Sequence, residues 1–354
     1  MIIKELSSAE RMKRLVTREG LDRVPIIPLA SLYTAYISNI SAKEYFLEPE
    51  KAMEAQLWAR DLHGYDAGPS YNIPDWGGWD FGGILEIPTS PRISLPRMVK
   101  KAVTSTKDVE KLEVPNPSTA PAMSRSLVFA RLSREKGFPV SVWGGSPMGI
   151  VVSIIGAETL LKWLRKEPSL VHRLLRLATD YIIEIAKVYT NEFGGENCSA
   201  LATYPMECFA MMSPKMFEKY SLPYVIEIHE KLIEMGIKKW TIHLCGDHTR
   251  NLIHWQQSIK LMPRTIFTLG HEMDMLKTAE ALGEEYIIGG NIHTTLMQIG
   301  SANEVYRACK ETIEKMKYIP GGFILAPDCV LPSLTPPINL HAMVKACRDF
   351  GKYE

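Results

Sequence analysis

The stretch KKWTIHLCGDH, Lys238 to His248, ends a run of strand-forming residues in a histidine and a cysteine one residue apart, with a glycine directly after. Along a β-strand, residues i and i+2 point to the same side, so His243 and Cys245 project together from the strand's end. Such a pair is either half of a metal site or two packed core residues that happen to alternate. A second cysteine, Cys329, follows the run GGFILAPDC in the same manner, and Glu207 stands in YPMEC after another strand-like run. One imidazole, two thiols and a nearby carboxylate make a borderline-soft donor set that suits tetrahedral zinc better than magnesium or calcium. The spacing is not that of a zinc finger, because paired CxxC knuckles are missing. Ligands dispersed over separate strands belong instead to a catalytic site, where zinc keeps a position for substrate.

Placing those residues at one mouth requires a fold that brings strand ends together. Short apolar or β-branched runs occur at 23–29, 64–70, 138–143, 198–204, 238–245, 264–269, 285–290 and 321–326, and helical patterns lie between them. Ser7 or Ser8 caps a first helix, 41–62 is helical with a break near Pro49, and 167–193 is a long amphipathic run. Later helices are expected at about 213–236, 248–257, 273–282, 302–317 and 337–350. Eight strands alternating with helices predict a single (β/α)8 TIM-type barrel over residues 1–354, with an N-terminal helical extension. The segment 71–118 departs from the alternation; rich in Pro, Gly and aromatics, it is expected as an insertion over the barrel mouth.

In a parallel barrel, functional groups sit at the C-terminal ends of the strands. Tyr204 and Glu207, His243 and Cys245, His271 and Glu272, Asn291 and His293, and Asp328 and Cys329 all fall there. Glu207 is the expected fourth ligand or a proton donor, with Tyr204 and His271 as further catalytic candidates. His271, Glu272 and His293 either orient the site or make structural hydrogen bonds. Asp247 is expected to cap the helix beginning near Thr249. Cys208 behaves as a small buried hydrophobe beside the better donor Glu207, and Cys198, Cys309 and Cys347 lie in element interiors. Tyr71, Trp76, Trp79, Phe81 and Trp143, in the insertion or at a strand end, either wall a substrate pocket for a flat ring or pack under a long loop.

The 41 basic and 40 acidic residues leave no global field to recruit nucleic acid or an acidic membrane. The N-terminus MIIKELSSAERMKR turns polar too soon for a signal peptide, and no apolar run approaches the ~18 residues of a spanning helix. A cytoplasmic protein with six reduced cysteines is the expectation, and a homodimer is compatible with it.

Three stretches, ERMKRLVTREGLDRVPIIP, SVWGGSPMGIVVSIIGAETLLKWLRKEPSLVHRLL and GGFILAPDCVLPSLTPPINLHAMVKACRDFGKYE, resemble the uroporphyrinogen decarboxylase superfamily over nearly the full chain. HLCG followed by a distant APDC is similar to its zinc-dependent, corrinoid-linked methyltransferases. That resemblance implies His243, Cys245 and Cys329 as zinc ligands and a cobalamin carried by a partner corrinoid protein. The decarboxylase itself matches poorly, because PLASLYTAYISNIS has no arginine where that enzyme's carboxylate-gripping loop would fall.

Two methyltransferase branches remain. YPMECFAMMSP, IHLCGDHTRNLIHW and FTLGHEMDM look closest to the branch that removes a methyl group from a methoxylated aromatic substrate and gives it to Co(I) corrinoid. The other branch passes the methyl group of methylcobamide to the thiol of coenzyme M. Its sulfonate would need a convergent cation, for which Arg250 and Arg264 are the candidates.

Overall fold

The computed structural model describes residues 5–90 and 95–353. Within 71–118, residues 91–94 of the expected insertion lie outside the described residues. The rest of that segment holds two short helices, Trp76–Asp80 and Thr106–Glu110, and an antiparallel pair, β1 (Ile84–Glu86) with β2 (Arg97–Lys100).

Six parallel strands follow in one sheet, in sequential order: β3 (Val140–Trp143), β4 (Cys198–Thr203), β5 (Lys239–Leu244), β6 (Ile266–Leu269), β7 (Ile287–Ile292) and β8 (Phe323–Pro327). Each strand is followed by one or more helices, among them Pro168–Phe193, Leu222–Glu234, Met275–Leu282, Ala302–Met316 and Pro337–Phe350. Parallel neighbours joined by helical crossovers make an α/β fold of the TIM-barrel kind. Alternation sorts the side chains of β4: Cys198, Ala200 and Ala202 are fully buried, whereas Ser199, Leu201 and Thr203 on the other face are half-buried. The register aligns Thr203 with His243 and His243 with Thr268 across β4, β5 and β6.

Two of the eight expected strands are not strands. The 23–29 segment touches β8 through a single parallel bridge, Ile26 to Leu325, flanked by the Ile27 amide to the Leu325 carbonyl and the Leu325 amide to the Pro25 carbonyl. Pro25 and Pro28 lack the amides a longer ladder needs. The 64–70 segment is irregular, interrupted by Gly64, Gly68 and Pro69. It still occupies the next place in the ring, since the Asp66 amide donates to the Ile26 carbonyl at 2.9 Å. Pro69, Ser70 and Tyr71 then face Ser141 and Trp143 of β3 across a cavity of about 20 Å³. Side chains of both segments line that gap.

Asp66 also fastens the N-terminal helix, Ser8–Thr17, to this end of the fold. Its fully buried carboxylate receives Arg11 Nη1 at 2.5 Å, Arg23 Nη1 at 2.7 Å and the Ile26 amide at 2.9 Å. Helix starts follow the expected chemistry: Ser7 caps the first helix, Ser41 makes a capping box with Glu44 before the Pro49 break, and Asp274 and Ser301 cap later ones. No single helix among the described residues is long and apolar enough to cross a membrane.

Candidate metal centre

A ring nitrogen of His243 and the sulfurs of Cys245 and Cys329 all lie within 4.8 Å of one another at the C-terminal ends of β5 and β8. His243 is the penultimate residue of β5, and its inward direction follows from the register with Thr268. Thr268 Oγ1 lies 3.0 Å from Nδ1, while Nε2 is buried with no hydrogen-bond partner among the described residues. An imidazole with one nitrogen oriented by a neighbour and the other buried and unpaired is built to ligate a metal. The two thiols share the place: the hydrogen bond from Cys245 pulls the Cys329 thiol well down against its burial, with the nearby imidazole adding to the effect. Cys245 moves up for the converse reason, its bond to Cys329 first, then burial, with Cys208 and Glu272 near enough to contribute. One N and two S donors, one already favoured as thiolate, fit zinc.

The loops around this cluster are knit together. His248 Nε2 bonds the carbonyls of Tyr204 at 2.9 Å and Cys245 at 3.2 Å, tying the end of β5 to the end of β4. Burial pushes the His248 imidazole down to about 4, so it is neutral at pH 7. Asn251 Nδ2 donates to the Glu207 carbonyl, and the Phe209 amide to the Asp247 carbonyl. The Asp247 carboxylate accepts from the Thr249 amide at 2.9 Å, an Asx-type turn; the cap position of the short turn Thr249–Asn251 is held by His248, so Asp247 stands one residue before the cap expected of it.

The structure places the remaining sequence candidates in different surroundings. Glu207 stands apart from the N/S cluster. Its fully buried carboxylate receives Ser146 Oγ at 2.8 and 3.1 Å and Ser221 Oγ at 3.3 Å, and burial pushes it up to about 7. Tyr204 follows Thr203 by one residue and so lies on the opposite face of the sheet from His243. Its hydroxyl meets His229 Nε2 at 3.2 Å and its ring meets Trp255 edge-on, both on outer helices. His271 bonds Asp328 Oδ2 through Nδ1 at 2.6 Å, with its ring 3.9 Å from that of His293.

The aromatic candidates are engaged in packing, Trp76 with Trp143 and the others with different neighbours. Tyr71 stacks on Phe129 and donates to the Phe46 carbonyl, Trp76 stacks on Trp143 at 5.6 Å, Phe81 meets Tyr181 edge-on, and Arg125 lies over Trp79. The cavity beside Tyr71 and Trp143, about 20 Å³, has the size of a water and is too small for a ring. Of the two arginines, Arg264 precedes β6 and binds the Leu15 carbonyl, at the end of the barrel away from the cluster. Arg250 follows β5, exposed, with its guanidinium 3.8 Å from the centre of the Phe209 ring.

Residue-by-residue reading missed Thr268, Ser146 and Ser221. Ser146 before Pro147 carries an N-terminal helix signature, and Ser146 does cap that helix, but its second role toward Glu207 has no local signal.

A parallel α/β barrel with a His/Cys/Cys centre at its mouth defines the class. The uroporphyrinogen decarboxylase (URO-D) family model matches residues 7–350, and the chain belongs to that family. It is 23% identical to the methylcobamide:CoM methyltransferases MtbA of Methanosarcina mazei and Methanosarcina acetivorans, covering 98% of this chain and 99% of each relative. It is also 23% identical to a methylated-thiol–coenzyme M methyltransferase of Methanosarcina mazei, over 72% of this chain and 65% of that protein. A solved methyltransferase structure from Methanosarcina mazei superposes with a TM-score of 0.78 at 20% identity, covering 98% of this chain and 99% of that one. By this distant homology the chain is a methyltransferase, related to corrinoid-linked enzymes.

Proposed function

We propose that this protein is a zinc-dependent methyltransferase that takes the methyl group of a methylated corrinoid, carried by a partner protein, and gives it to a small thiol. The observation that carries this reading is the buried Nε2 of His243, without a hydrogen-bond partner among the described residues, beside the Cys245 and Cys329 sulfurs. The full-length likeness to methylcobamide:CoM methyltransferases favours the thiol as acceptor. Methyl transfer to a thiol is the second of the two branches that the sequence resembles, not the one its flanking segments look closest to. The methoxyaromatic donor rests on flanking texture and on aromatic pocket walls, and those aromatics are engaged in packing, Trp76 with Trp143, Tyr71 with Phe129 and Phe81 with Tyr181.

His243, Cys245 and Cys329 would hold the zinc, with Thr268 fixing the tautomer of His243. Bound there, zinc supplies the Lewis acidity that lowers the pKa of an incoming thiol toward neutrality. Glu272, exposed just after β6 with its carboxylate 3.5 Å from His271 Nδ1, is the nearby group suited to take the thiol proton and pass it to solvent. Arg250 on the rim meets the anionic end of a substrate such as a sulfonate. Glu207, enclosed by Ser146 and Ser221, braces the β4 loop and the helix starting at Pro147. Phe209 and Met211 after β4, and Val330 and Leu334 after β8, are exposed hydrophobics on the mouth loops and form the surface assigned to the corrinoid partner.

The test is methyl loss from methylcobalamin with 2-mercaptoethanesulfonate, which is coenzyme M, as acceptor, run with wild type and with Cys329→Ala. Formation of the methyl thioether only by the wild type supports the reading.

A further inference from the structure

Beside the His/Cys/Cys cluster, three successive strand ends bring together a second donor set. His271 lies two residues beyond β6, His293 directly follows β7 and Asp328 directly follows β8. One ligand atom from each lies within 4.8 Å of the other two. Each side chain is held in place. Asp328 is buried and accepts from His271 Nδ1 at 2.6 Å through Oδ2 and from the Thr294 amide at 2.9 Å through Oδ1. Asn291 Nδ2 donates to the Gly270 and Met273 carbonyls at 2.9 and 3.0 Å, which fixes the turn that carries His271. His293 Nδ1 accepts from the Thr295 amide at 2.9 Å and so caps the helix Thr294–Ile299.

We propose that His271, His293 and Asp328 form a second divalent-cation site, separate from the thiolate centre. Two imidazoles and one carboxylate select borderline ions such as zinc, cobalt(II) or nickel(II) over magnesium and calcium. The ion takes the place of the proton shared between His271 Nδ1 and Asp328 Oδ2, which leaves to solvent. His293 cannot ligate and keep its cap. Through Nδ1 it would spend the lone pair that Thr295 uses, and through Nε2 its ring proton would move to Nδ1. Binding therefore exchanges the cap for a metal bond, which makes this site weaker than the thiolate one. His271 is 40% exposed, so ions reach the site from solvent and its remaining positions stay open. The proposal stands independently of the methyl-transfer reading.

The test is cobalt(II) titration of the full chain after chelator treatment, followed by calorimetry and absorption. Two equivalents are expected. The first carries the near-ultraviolet sulfur-to-cobalt charge-transfer band of a thiolate site, and the second adds only weak ligand-field absorption. His293→Asn keeps a capping side chain while removing the imidazole, and His271→Asn changes an exposed residue, so both variants should fold. Each is expected to retain the thiolate band and to weaken the second equivalent by about tenfold or more. The double variant Cys245→Ala/Cys329→Ala should show the reverse pattern. A single equivalent in the wild type up to roughly 1 mM free cobalt, or a second equivalent unchanged in both histidine variants, would overturn the proposal.

Discussion

His243 Nδ1 and Thr268 Oγ1 lie 3.0 Å apart, on neighbouring strands whose register places the two residues opposite one another. This contact decides which nitrogen of the imidazole is left for the metal. Thr268→Val keeps the shape and removes the hydroxyl, so zinc affinity is expected to fall by about 10–100-fold, as on losing a partner to a metal-bound histidine. Thr268→Ser should restore most of it. Competition with a chromogenic chelator measures both.

Glu207 sets a pH dependence of stability. Burial raises its carboxyl from 4.5 in the unfolded chain to about 7 in the fold, with Ser146 and Ser221 opposing the shift. The folded state therefore prefers the neutral acid. This group's contribution is fully present below about pH 4.5 and is lost as pH rises through about 7, by on the order of 3 kcal/mol. Glu207→Gln stays neutral throughout, so its unfolding free energy should gain on the wild type between pH 5 and pH 8. Urea unfolding at the two pH values tests this, and an unchanged difference would mean that the fold does not raise the Glu207 carboxyl above its unfolded value.

Asp66→Ala leaves the guanidinium groups of Arg11 and Arg23 buried beside a missing carboxylate. Breaking a buried pair in this way costs about 3–5 kcal/mol. The midpoint of urea denaturation should fall accordingly, while zinc stoichiometry at saturating metal stays unchanged, because the network lies at the N-terminal helix and not at the mouth.

Arg250→Ala removes the exposed cation stacked on Phe209. If Arg250 meets the sulfonate, KM for 2-mercaptoethanesulfonate should rise by about tenfold with kcat little changed, the pattern of a lost uniform binding contact. With an uncharged thiol of similar size as acceptor, the same substitution should have little effect.

Much of this architecture is legible in the sequence, and the exceptions have identifiable physical causes. The HLC pair is legible because a strand repeats every two residues, and the six strands from 140 onward are legible because fully buried parallel strands are nearly continuous in β-branched and apolar residues. Tyr204 shows the limit. The same two-residue period that puts His243 and Thr203 inside turns Tyr204 outward, but the register between strands has no signature in one chain. Glu207 was misplaced for a related reason. Nothing local distinguishes a carboxylate aimed into the mouth from one turned toward Ser146 and Ser221, which are 61 and 14 residues away. The first two expected strands failed on their prolines and glycines, which weigh more than apolar content. Tyr71, Trp76 and Phe81 of the insertion belong to the core through contacts between distant segments, such as that of Trp76 with Trp143.

The central claim is methyl transfer from corrinoid to thiol at the His243–Cys245–Cys329 centre, and the most direct measurement is a single reaction. Zinc-loaded protein is mixed with methylcobalamin and 2-mercaptoethanesulfonate, with the methyl-cobalt absorbance followed in time and the thiol product weighed by mass spectrometry. Methyl-cobalt should disappear as the methyl thioether forms, and both changes should be lost in Cys245→Ala, Cys329→Ala and the chelator-treated wild type. Undiminished turnover in the chelator-treated protein, or methyl-cobalt formed from a methoxyarene and Co(I) corrinoid with no thioether from the thiol, would contradict it.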